Sequence, residues 1–207
     1  QSNDYFDAFN TGLMLDKQGL QIYHKSKLVP GVERMPFPAL FKPLEKFAIN
    51  MGGTMGSLGM QDERGVFTDE SGKTVIAPVI CYESVYGDYL TEYIRKKANL
   101  IFIITNDGWW EDTPGYVQHL NYARLRAIEN RRQIARSANT GTSCFIDEFG
   151  NISDATNWWE EAVIEKDMYI NNDLTFFSRF GDLLSYVSVI FSILLLLFSF
   201  YLRLRPR

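Results

Sequence analysis

The most constraining feature of the sequence is an uninterrupted apolar run near its C-terminus. Residues 183–202 read LLSYVSVIFSILLLLFSFYL, with no charged residue and no proline. An α-helix rises about 1.5 Å per residue, so this run would extend roughly 30 Å, the thickness of the hydrocarbon core of a bilayer. Core helices of soluble proteins are rarely uncharged on every face over such a length. The run therefore predicts one transmembrane helix at 183–202.

Positive charge follows the apolar run directly. Residues 203–207 read RLRPR, and these arginines leave 18 of the 21 basic residues against 25 acidic ones in the remainder. Arginines beside a membrane span stay on the cytoplasmic side. We therefore expect a basic cytoplasmic tail at 203–207, with residues 1–178 on the other side of the membrane. The acidic balance of that larger part argues against nucleic acid as a main partner.

The few cysteines and histidines exclude two common kinds of site. Cys81 and Cys144 make no C-x-x-C pair and are too few for a disulfide framework. His24 and His119 are too scattered for a zinc site, so we expect no metal and assign both rings a structural or surface role. We interpret Cys144 as a core residue of a strand, because free cysteine packs as a small hydrophobe.

The apolar pattern from residue 75 onward predicts an α/β fold. Continuous apolar runs at 75–80 and 99–105 are typical of strands buried on both faces, and 88–97 has the spacing of a helix between them. A second helix is predicted at 116–136, with its arginines on a solvated or salt-bridged face. The strand–helix–strand order indicates a βαβ unit.

The region before residue 75 is less regular. Short apolar runs at 9–15 and 20–23 flank a polar turn and predict a hairpin. Residues 28–65 are rich in proline, glycine and methionine and predict a long loop, with a helical turn near 40–47. The apolar side chains of 37–60 are equally consistent with a mobile lid that admits an acyl chain and with ordinary packing against the core.

The stretch PVICYE places a thiol at the end of a buried strand. Cys81 is either a core residue or a nucleophile, and its place between a strand and a turn favours the second, because α/β folds expose reactive groups there. Glu83 lies close enough in sequence to point into the same pocket. A lysine can stabilise an oxyanion in acyl chemistry, with a glutamate as base. Lys25 and Glu33, in YHKSKLVPGVE, are the candidates.

Three stretches together identify a family. YHKSKLVPGVE, PVICYE and NDGWW with the following QHLNYARLRAIENRRQIARSANTG resemble the nitrilase superfamily of carbon–nitrogen hydrolases, and within it the membrane-bound apolipoprotein N-acyltransferases. The resemblance implies an α-β-β-α sandwich, present here only in part because its N-terminal portion is missing. Residues 1–178 would be the C-terminal portion of that catalytic domain, on the periplasmic side of a bacterial inner membrane.

The resemblance also implies a catalytic set. By motif position Cys81 is the nucleophile, Lys25 stabilises the oxyanion, and Glu33 orients the lysine and the reacting groups. Glu83 matches a further glutamate of the acyltransferase site.

Two aromatic positions and one missing group complete the implied site. Tyr82 and Trp109 match substrate-binding positions beside the thiol, and the backbone N–H of Tyr82 could donate to an oxyanion. The general-base glutamate of the family lies upstream of every residue in this chain. We therefore expect the isolated chain to be inactive unless the missing part is supplied.

The implied reaction is acyl transfer between two membrane substrates. A fatty acyl group would pass from a phospholipid, such as phosphatidylethanolamine, through a cysteine thioester to the N-terminal diacylglyceryl-cysteine amine of an apolipoprotein. This reaction needs no cofactor, metal or nucleotide. Two alternatives stay open: a membrane-anchored amidase of the same superfamily, and a non-catalytic membrane-anchored scaffold that retains the fold.

Overall fold

The protein's structure, a computed structural model, describes residues 8–34 and 58–204. Within these ranges the strands are β1 (Thr11–Asp16), β2 (Gly19–His24), β3 (Phe67–Thr68), β4 (Val75–Ile80), β5 (Leu100–Thr105), β6 (Ile134–Ala138), β7 (Cys144–Ile146) and β8 (Ile152–Ser153). The α-helices are α1 (Gly87–Arg95), α2 (Pro114–Asn130), α3 (Phe176–Phe180) and α4 (Leu183–Leu204). Short 3-10 helices lie at Cys81–Val85 and Asp107–Trp110.

A six-stranded sheet in the order β3-β4-β5-β6-β7-β8 organises the fold. Strands β4, β5 and β6 are parallel and are connected by α1 and α2, while the outer pairs are antiparallel. The predicted βαβ unit is therefore confirmed. Because Ile80 pairs with Ile104, β4 and β5 end at the same edge of the sheet. The segments that follow both strands meet at that edge.

Helices cover one face of the sheet. Strand β5 buries Ile101 and Ile103 almost completely, whereas Ile104, on the opposite face, is 47% exposed. The buried face of α1 consists of Tyr89, Leu90, Thr91, Tyr93 and Ile94. Ala123 and Ala127 of α2 are fully buried, and such small side chains allow a helix to approach closely.

The β1–β2 hairpin covers part of the other face. A side chain on Gly12 would lie 3.9 Å from Pro78, Ile80 and Ile104, so the hairpin backbone runs close over β4 and β5. The outer face of the hairpin presents four exposed apolar side chains: Leu13, Leu15, Leu20 and Ile22. The described residues thus form a helix layer and two strand layers, in agreement with the nitrilase-like α/β sandwich expected in part.

Helix α2 ends six residues before the predicted end at 136, so that boundary was wrong. Arg131 has a left-handed backbone with φ +51°, and its N–H bonds to the carbonyl of Ala127, which terminates the helix. Ile134 then begins β6. An apolar residue at this position satisfies the helical spacing and the strand pattern equally, so the periodicity did not separate the two.

The C-terminal apolar run forms a helix, as predicted. Helix α4 has 22 residues with mean hydropathy 2.5 and is long and apolar enough to cross a membrane. None of its residues is buried against the rest of the described chain. The hydroxyls of Ser188 and Ser192 donate to carbonyls one turn back at 2.8 Å, which leaves neither group unsatisfied in an apolar medium. Residues 205–207 of the basic tail lie outside the described ranges.

Two predictions for the region before β3 have different outcomes. The hairpin is present, with a two-residue turn at 17–18 between its strands. The helical turn near 40–47 lies outside the described residues, as does the lid segment 37–60 apart from its last three residues. The lid therefore stays a prediction.

Candidate active site

Cys81 lies at a sharp backbone turn between β4 and the first 3-10 helix. Its φ is +51°, in the left-handed region that residues other than glycine rarely occupy. Such a conformation costs about 1–3 kcal/mol and persists where surrounding contacts enforce it, often at functional sites. The thiol is half-buried at the carboxyl edge of the sheet. The turn thus presents a cysteine where a substrate can reach it.

Three contacts hold this turn in place. The N–H of Ile80 donates to Glu83 Oε2 at 2.8 Å, and the Ser84 hydroxyl donates to the Cys81 carbonyl at 2.8 Å. His119 Nε2 lies 3.2 Å from the same carbonyl and 2.9 Å from Ser84 Oγ. The backbone at Cys81 is therefore fixed by side chains from its own turn and from α2.

Glu83 faces the protein interior rather than the pocket beside Cys81, contrary to expectation. It is fully buried, and its Oε1 accepts from the Ser26 N–H and the Tyr23 hydroxyl at 2.7 Å and from the Tyr89 hydroxyl at 2.8 Å. A buried carboxylate needs such donors, and those nearest in space come from the loop after β2 and from α1. Glu83 thereby connects the segment that carries Lys25 to the Cys81 turn.

The tyrosines around Glu83 stay protonated over the physiological range. Burial, followed by the charge of Glu83, raises the pKa of Tyr89 to about 12. The same two causes raise the pKa of Tyr23 and of Tyr93 well above the ordinary tyrosine value. The hydroxyls of Tyr23 and Tyr89 therefore act as hydrogen-bond donors to the carboxylate and not as bases, and the Tyr93 hydroxyl contacts both of them.

Lys25 and Glu33 form a buried ion pair. Lys25 is completely inaccessible to solvent, and its Nζ lies 2.8 Å from each carboxylate oxygen of Glu33. Glu33 also accepts from the Val29 N–H at 2.7 Å and from Asn10 Nδ2 at 2.5 Å. This network compensates for the cost of removing both charges from water, and it fixes the ammonium in one position.

One cavity of about 240 Å³ brings most of the predicted site residues together. Its walls are formed by Val29, Val32, Glu33, Cys81, Tyr82, Asn106, Trp109, Trp110 and His119. Lys25 adjoins this cavity through its ion pair with Glu33. Glu83 is not among the described residues that line it. Cys81, Glu33 and both predicted aromatic residues thus line one apolar pocket, and Lys25 lies behind Glu33, to which it is paired.

A buried charge network lies behind the cavity wall. His119 Nδ1 is 3.0 Å from Asp107 Oδ1, and Arg136 Nη2 is 2.6 Å from Asp107 Oδ2. The hydroxyl of Thr105 donates to Asp107 Oδ1 at 3.0 Å. Burial opposes ionisation of Asp107, but the hydrogen bond from His119 and the charge of Arg136 outweigh it and lower the pKa of the carboxyl below its ordinary 3.8.

Sequence reasoning missed two members of this network. Asp107 follows β5 directly, at the same sheet edge as Cys81, and that position alone could have marked it. Arg136 was expected on a solvated or salt-bridged helix face: it is salt-bridged to Asp107, but it belongs to β6 and is 3% exposed, so the helix and the solvation were wrong. His119, expected in a structural or surface role, is buried, lines the cavity and reaches the Cys81 turn.

The remaining cysteine offers no second reactive thiol. Cys144 is fully buried in β7, and burial raises its pKa to about 11. Within residues 8–34 and 58–204, no three His, Cys, Asp or Glu side chains are grouped so as to hold a metal ion.

Sequence comparison finds relatives named apolipoprotein N-acyltransferase. One from Chlorobaculum tepidum is 36% identical over 186 residues, covering 88% of this chain and 35% of the relative. Another from Geobacter metallireducens is 30% identical over 182 residues, covering 87% of this chain and 34% of the relative. The chain therefore resembles this enzyme and spans about a third of the length of these curated relatives.

Structural comparison supports the same fold. The chain resembles the crystal structure of Saccharomyces cerevisiae Nit3, a member of branch 10 of the nitrilase superfamily, with a TM-score of 0.52 and 16% identity over 74% of this chain and 51% of that one. At this identity the likeness concerns the fold alone. A family model described as carbon-nitrogen hydrolase matches residues 1–171. The chain belongs to the carbon–nitrogen hydrolase family.

Proposed function

We propose that this chain provides the thiol-bearing part of an apolipoprotein N-acyltransferase. The observation that carries the proposal is the shared cavity, where a strained cysteine turn faces Glu33 and its paired Lys25. The names of the relatives supply the reaction class, transfer of an acyl group to a nitrogen of an apolipoprotein. The motif resemblance implies the substrates that we propose: a phospholipid as acyl donor and the N-terminal diacylglyceryl-cysteine as acceptor.

The first step forms an acyl-enzyme. The sulfur of Cys81 attacks the ester carbonyl of the phospholipid, a carbon–sulfur bond forms and the carbon–oxygen ester bond breaks. The thiol proton passes to a general base and from there to the departing lysophospholipid oxygen. We assign that base to a residue of the enzyme outside these 207 residues, in keeping with the third of the relatives' length that the chain spans.

Developing negative charge on the carbonyl oxygen needs positive partners in a dry site. Lys25 provides an ammonium whose direction is set by two 2.8 Å contacts to Glu33. The backbone N–H of Tyr82, at the start of the 3-10 helix, is the second donor that we propose. Preorganisation of this kind typically contributes ~10²–10³ in rate for each donor.

The second step releases the acyl group to an amine. The α-amino group of the acceptor attacks the thioester, its nitrogen–carbon bond forms, and the sulfur leaves and regains a proton. Tyr82 and Trp109 line the pocket and would pack against the acyl chain; the exposed Trp109 is well placed to meet an incoming lipid. Water in place of the amine would give hydrolysis, the amidase-like alternative.

Glu83 and His119 act through the turn and not on the substrate. Glu83 bonds to the Ile80 N–H ahead of the nucleophile, and His119 contacts the Cys81 carbonyl. Both are therefore proposed as positioning residues that maintain the left-handed conformation of the cysteine. This replaces the expectation that Glu83 is itself a catalytic group in the pocket.

Helix α4 would hold this site at the lipid surface. With the arginine-rich tail in the cytoplasm, the catalytic part would face the periplasm of a bacterial inner membrane. Both proposed substrates reside in a bilayer, so a site anchored beside it avoids extracting their acyl chains into water. No cofactor enters any step.

The test is the acylation state of Cys81 in native membranes that contain the protein. We expect mass spectrometry to find a fatty acyl group on the peptide carrying Cys81, removable by neutral hydroxylamine as thioesters are. Addition of a diacylglyceryl-cysteine peptide should discharge this group and yield the N-acylated peptide. Cys144→Ser serves as the matched control and should leave both observations unchanged.

Three outcomes would contradict the proposal. Lipoproteins that remain N-acylated in a Cys81→Ser strain would indicate a scaffold role. Discharge of the acyl group as free acid, with no N-acylated peptide, would indicate a hydrolase. Clear turnover by the isolated 207-residue chain would contradict the assignment of the base to another part of the enzyme.

A further inference from the structure

A second, larger cavity lies beside α1, apart from the one that contains the thiol. Its volume is about 650 Å³. Its walls are formed by Lys27, Arg64, Val85, Tyr86, Gly87, Asp88, Tyr89, Glu92, Arg95, Arg126, Glu129, Phe177 and Asp182. We call it the polar cavity, because four basic and four acidic side chains line it. None of these residues belongs to the Cys81 cavity.

Arg126 is a buried cation with too few partners in this cavity. It is 4% exposed, and the contact that the described residues give its guanidinium is Glu129 Oε1 at 3.2 Å. Within the described residues, its Nε and Glu129 Oε2 are inaccessible to water and make no hydrogen bond. A guanidinium carries five N–H donors, and buried donors are normally satisfied. Because Arg126 lines the cavity and has one ion contact among the described residues, its guanidinium can donate to an anionic group that enters the cavity.

The polar cavity also contains other basic and acidic side chains that could contact a ligand. Arg64 pairs with Glu92 at 3.2 Å. Lys27 has no ion pair among the described residues, and its Nζ lies 5.8 Å from the ring centres of Tyr86 and Tyr89. The cavity therefore offers a cation to an anionic ligand group without first breaking an existing bridge.

The acidic side of the cavity is adjacent to the apolar helix. Burial raises the pKa of Glu129 above its ordinary 4.5. The positive charge of Arg126 opposes this rise, and the negative charge of Asp182 adds to it. Asp182 directly precedes α4 and also lines the cavity, as does Asp88. If α4 crosses a membrane, these carboxylates lie at the depth of the lipid headgroups.

The polar cavity and the Cys81 cavity lie at opposite ends of one short element. Cys81 begins the first 3-10 helix, and Val85 and Tyr86 at its other end line the polar cavity. The helix rises about 2 Å per residue, so the two ends are roughly 8–10 Å apart. Tyr82 lines the Cys81 cavity and Tyr86 lines the polar cavity, and their rings pack edge to face with centres 5.4 Å apart.

From this arrangement we propose that the polar cavity binds the zwitterionic phosphodiester headgroup of the lipid acyl donor. The phosphate would contact Lys27 and Arg126, and the ammonium would face Asp88 and Asp182. The glycerol unit would then extend along the 3-10 helix and bring the ester to Cys81. This inference rests on the proposed acyl transfer and adds to it the recognition of the donor's headgroup.

The experiment measures headgroup binding in a chain that cannot react. Detergent-solubilised Cys81→Ala protein would be titrated by isothermal calorimetry with glycerophosphoethanolamine, with dihexanoylphosphatidylethanolamine, with dihexanoylglycerol and with inorganic phosphate. We expect both phosphoethanolamine ligands to bind, and the phosphate-free diglyceride and inorganic phosphate to bind at least about tenfold more weakly.

Two variants separate the cavity from general effects on the protein. Lys27→Gln, at an exposed position, should weaken headgroup binding about fivefold, since it removes one charge-assisted contact. Lys73→Gln makes the same charge change at an exposed site near β4 and should leave binding unchanged. The double change Arg126→Gln with Glu129→Gln removes both buried charges together and should weaken binding by more than about tenfold.

The outcomes are decisive in both directions. Equal binding of inorganic phosphate and the headgroup would reduce the cavity to a simple anion site and overturn the proposal. Absence of headgroup binding, or equal affinity in the Lys27→Gln and Lys73→Gln proteins, would also overturn it. If the headgroup binds but no acyl group is found on Cys81 in native membranes, the proposed acyl transfer is contradicted, whereas the headgroup site is supported.

Discussion

Helix α2 contributes to two buried charge clusters that differ in how well they are satisfied. His119, near its start, belongs to the network with Asp107 and Arg136, in which each member has close polar partners. Arg126 and Glu129, two turns later, share one 3.2 Å contact and retain buried polar atoms with no partner among the described residues. The same helix thus contributes to one cluster with several close contacts, in which Arg136 Nε lacks a partner among the described residues, and to another with a single ion contact.

The difference indicates two kinds of role. A network of buried charges with several close contacts rigidifies what it touches, here the turn that presents Cys81. The second cluster lines the polar cavity, so its charges can gain contacts from a group that binds there. The comparison therefore predicts that damage to the first cluster disturbs the fold and damage to the second disturbs binding.

The largest effect is expected from Asp107→Asn, compared with Glu129→Gln. Loss of the Asp107 charge leaves the buried Arg136 uncompensated and should lower the free energy of unfolding by about 3–5 kcal/mol. Glu129→Gln should cost less than that, because burial raises the pKa of Glu129, so its ionisation opposes folding and offsets part of the lost contact with Arg126. Urea unfolding in detergent micelles measures both, and equal losses would erase the distinction between the two clusters.

The two cysteines should differ strongly in their reaction with iodoacetamide. Cys144 has a pKa of about 11 against an ordinary 9.0, which lowers its thiolate fraction about a hundredfold, and it is also inaccessible. Cys81 is half-buried at the cavity and should be alkylated first. Peptide mass spectrometry after brief labelling gives the site, and labelling of Cys144 in the folded protein would contradict the described burial.

Glu83→Gln tests whether the turn at Cys81 depends on its buried carboxylate. The amide keeps the shape but offers one acceptor oxygen in place of two, so the Ile80 N–H or the Ser26 N–H loses its partner. We expect a loss of about 1.5–3 kcal/mol in unfolding free energy. The alkylation rate of Cys81 should change as well, while Glu92→Gln, at the polar cavity, should leave that rate unchanged. If the alkylation rate of Cys81 is the same in Glu83→Gln as in the wild type, Glu83 does not position the Cys81 turn.

The smallest effect is a difference in pH dependence between the two clusters. Asp107 has a lowered pKa, so its stabilising contribution is present above its ordinary 3.8 and is lost as pH falls below that value. Glu129 has a raised pKa, so its ionisation opposes folding, and stability falls as pH rises from 4.5 through the raised value. Relative to wild type, Asp107→Asn should therefore flatten the fall in stability below pH 3.8. Glu129→Gln should flatten the fall above pH 4.5.

Thermal unfolding of both variants across about pH 3–7 would check this prediction. The pH steps should be closest around the ordinary pKa values of the two carboxyl groups, 3.8 for Asp107 and 4.5 for Glu129. Identical pH profiles for the two variants would show that both carboxylates have the same kind of environment, and would contradict the difference between the two clusters.

The spacing of apolar residues was sufficient to predict the buried strands and the helix between them. The apolar run at Val75–Ile80, the helix that follows and the run at Leu100–Thr105 were predicted because continuous burial leaves few polar residues in a strand. Lys25 and Glu33 were candidates from one short stretch, and the family resemblance implied that Glu33 orients the lysine; the structure pairs the two side chains. The place of Arg136 in a strand was not predicted, since helical and strand spacing overlap around Ile134.

The sequence by itself thus determined an α/β chain of the carbon–nitrogen hydrolase type, with a cysteine at a strand end and an apolar C-terminal helix. Only the tertiary structure decided where the buried charges are directed. Glu83 accepts from Ser26, 57 residues away, and Asp107 meets Arg136, 29 residues away. A buried charge must find its partners among whatever the fold brings near it. The spacing of residues along the chain does not indicate which distant residues will be those partners.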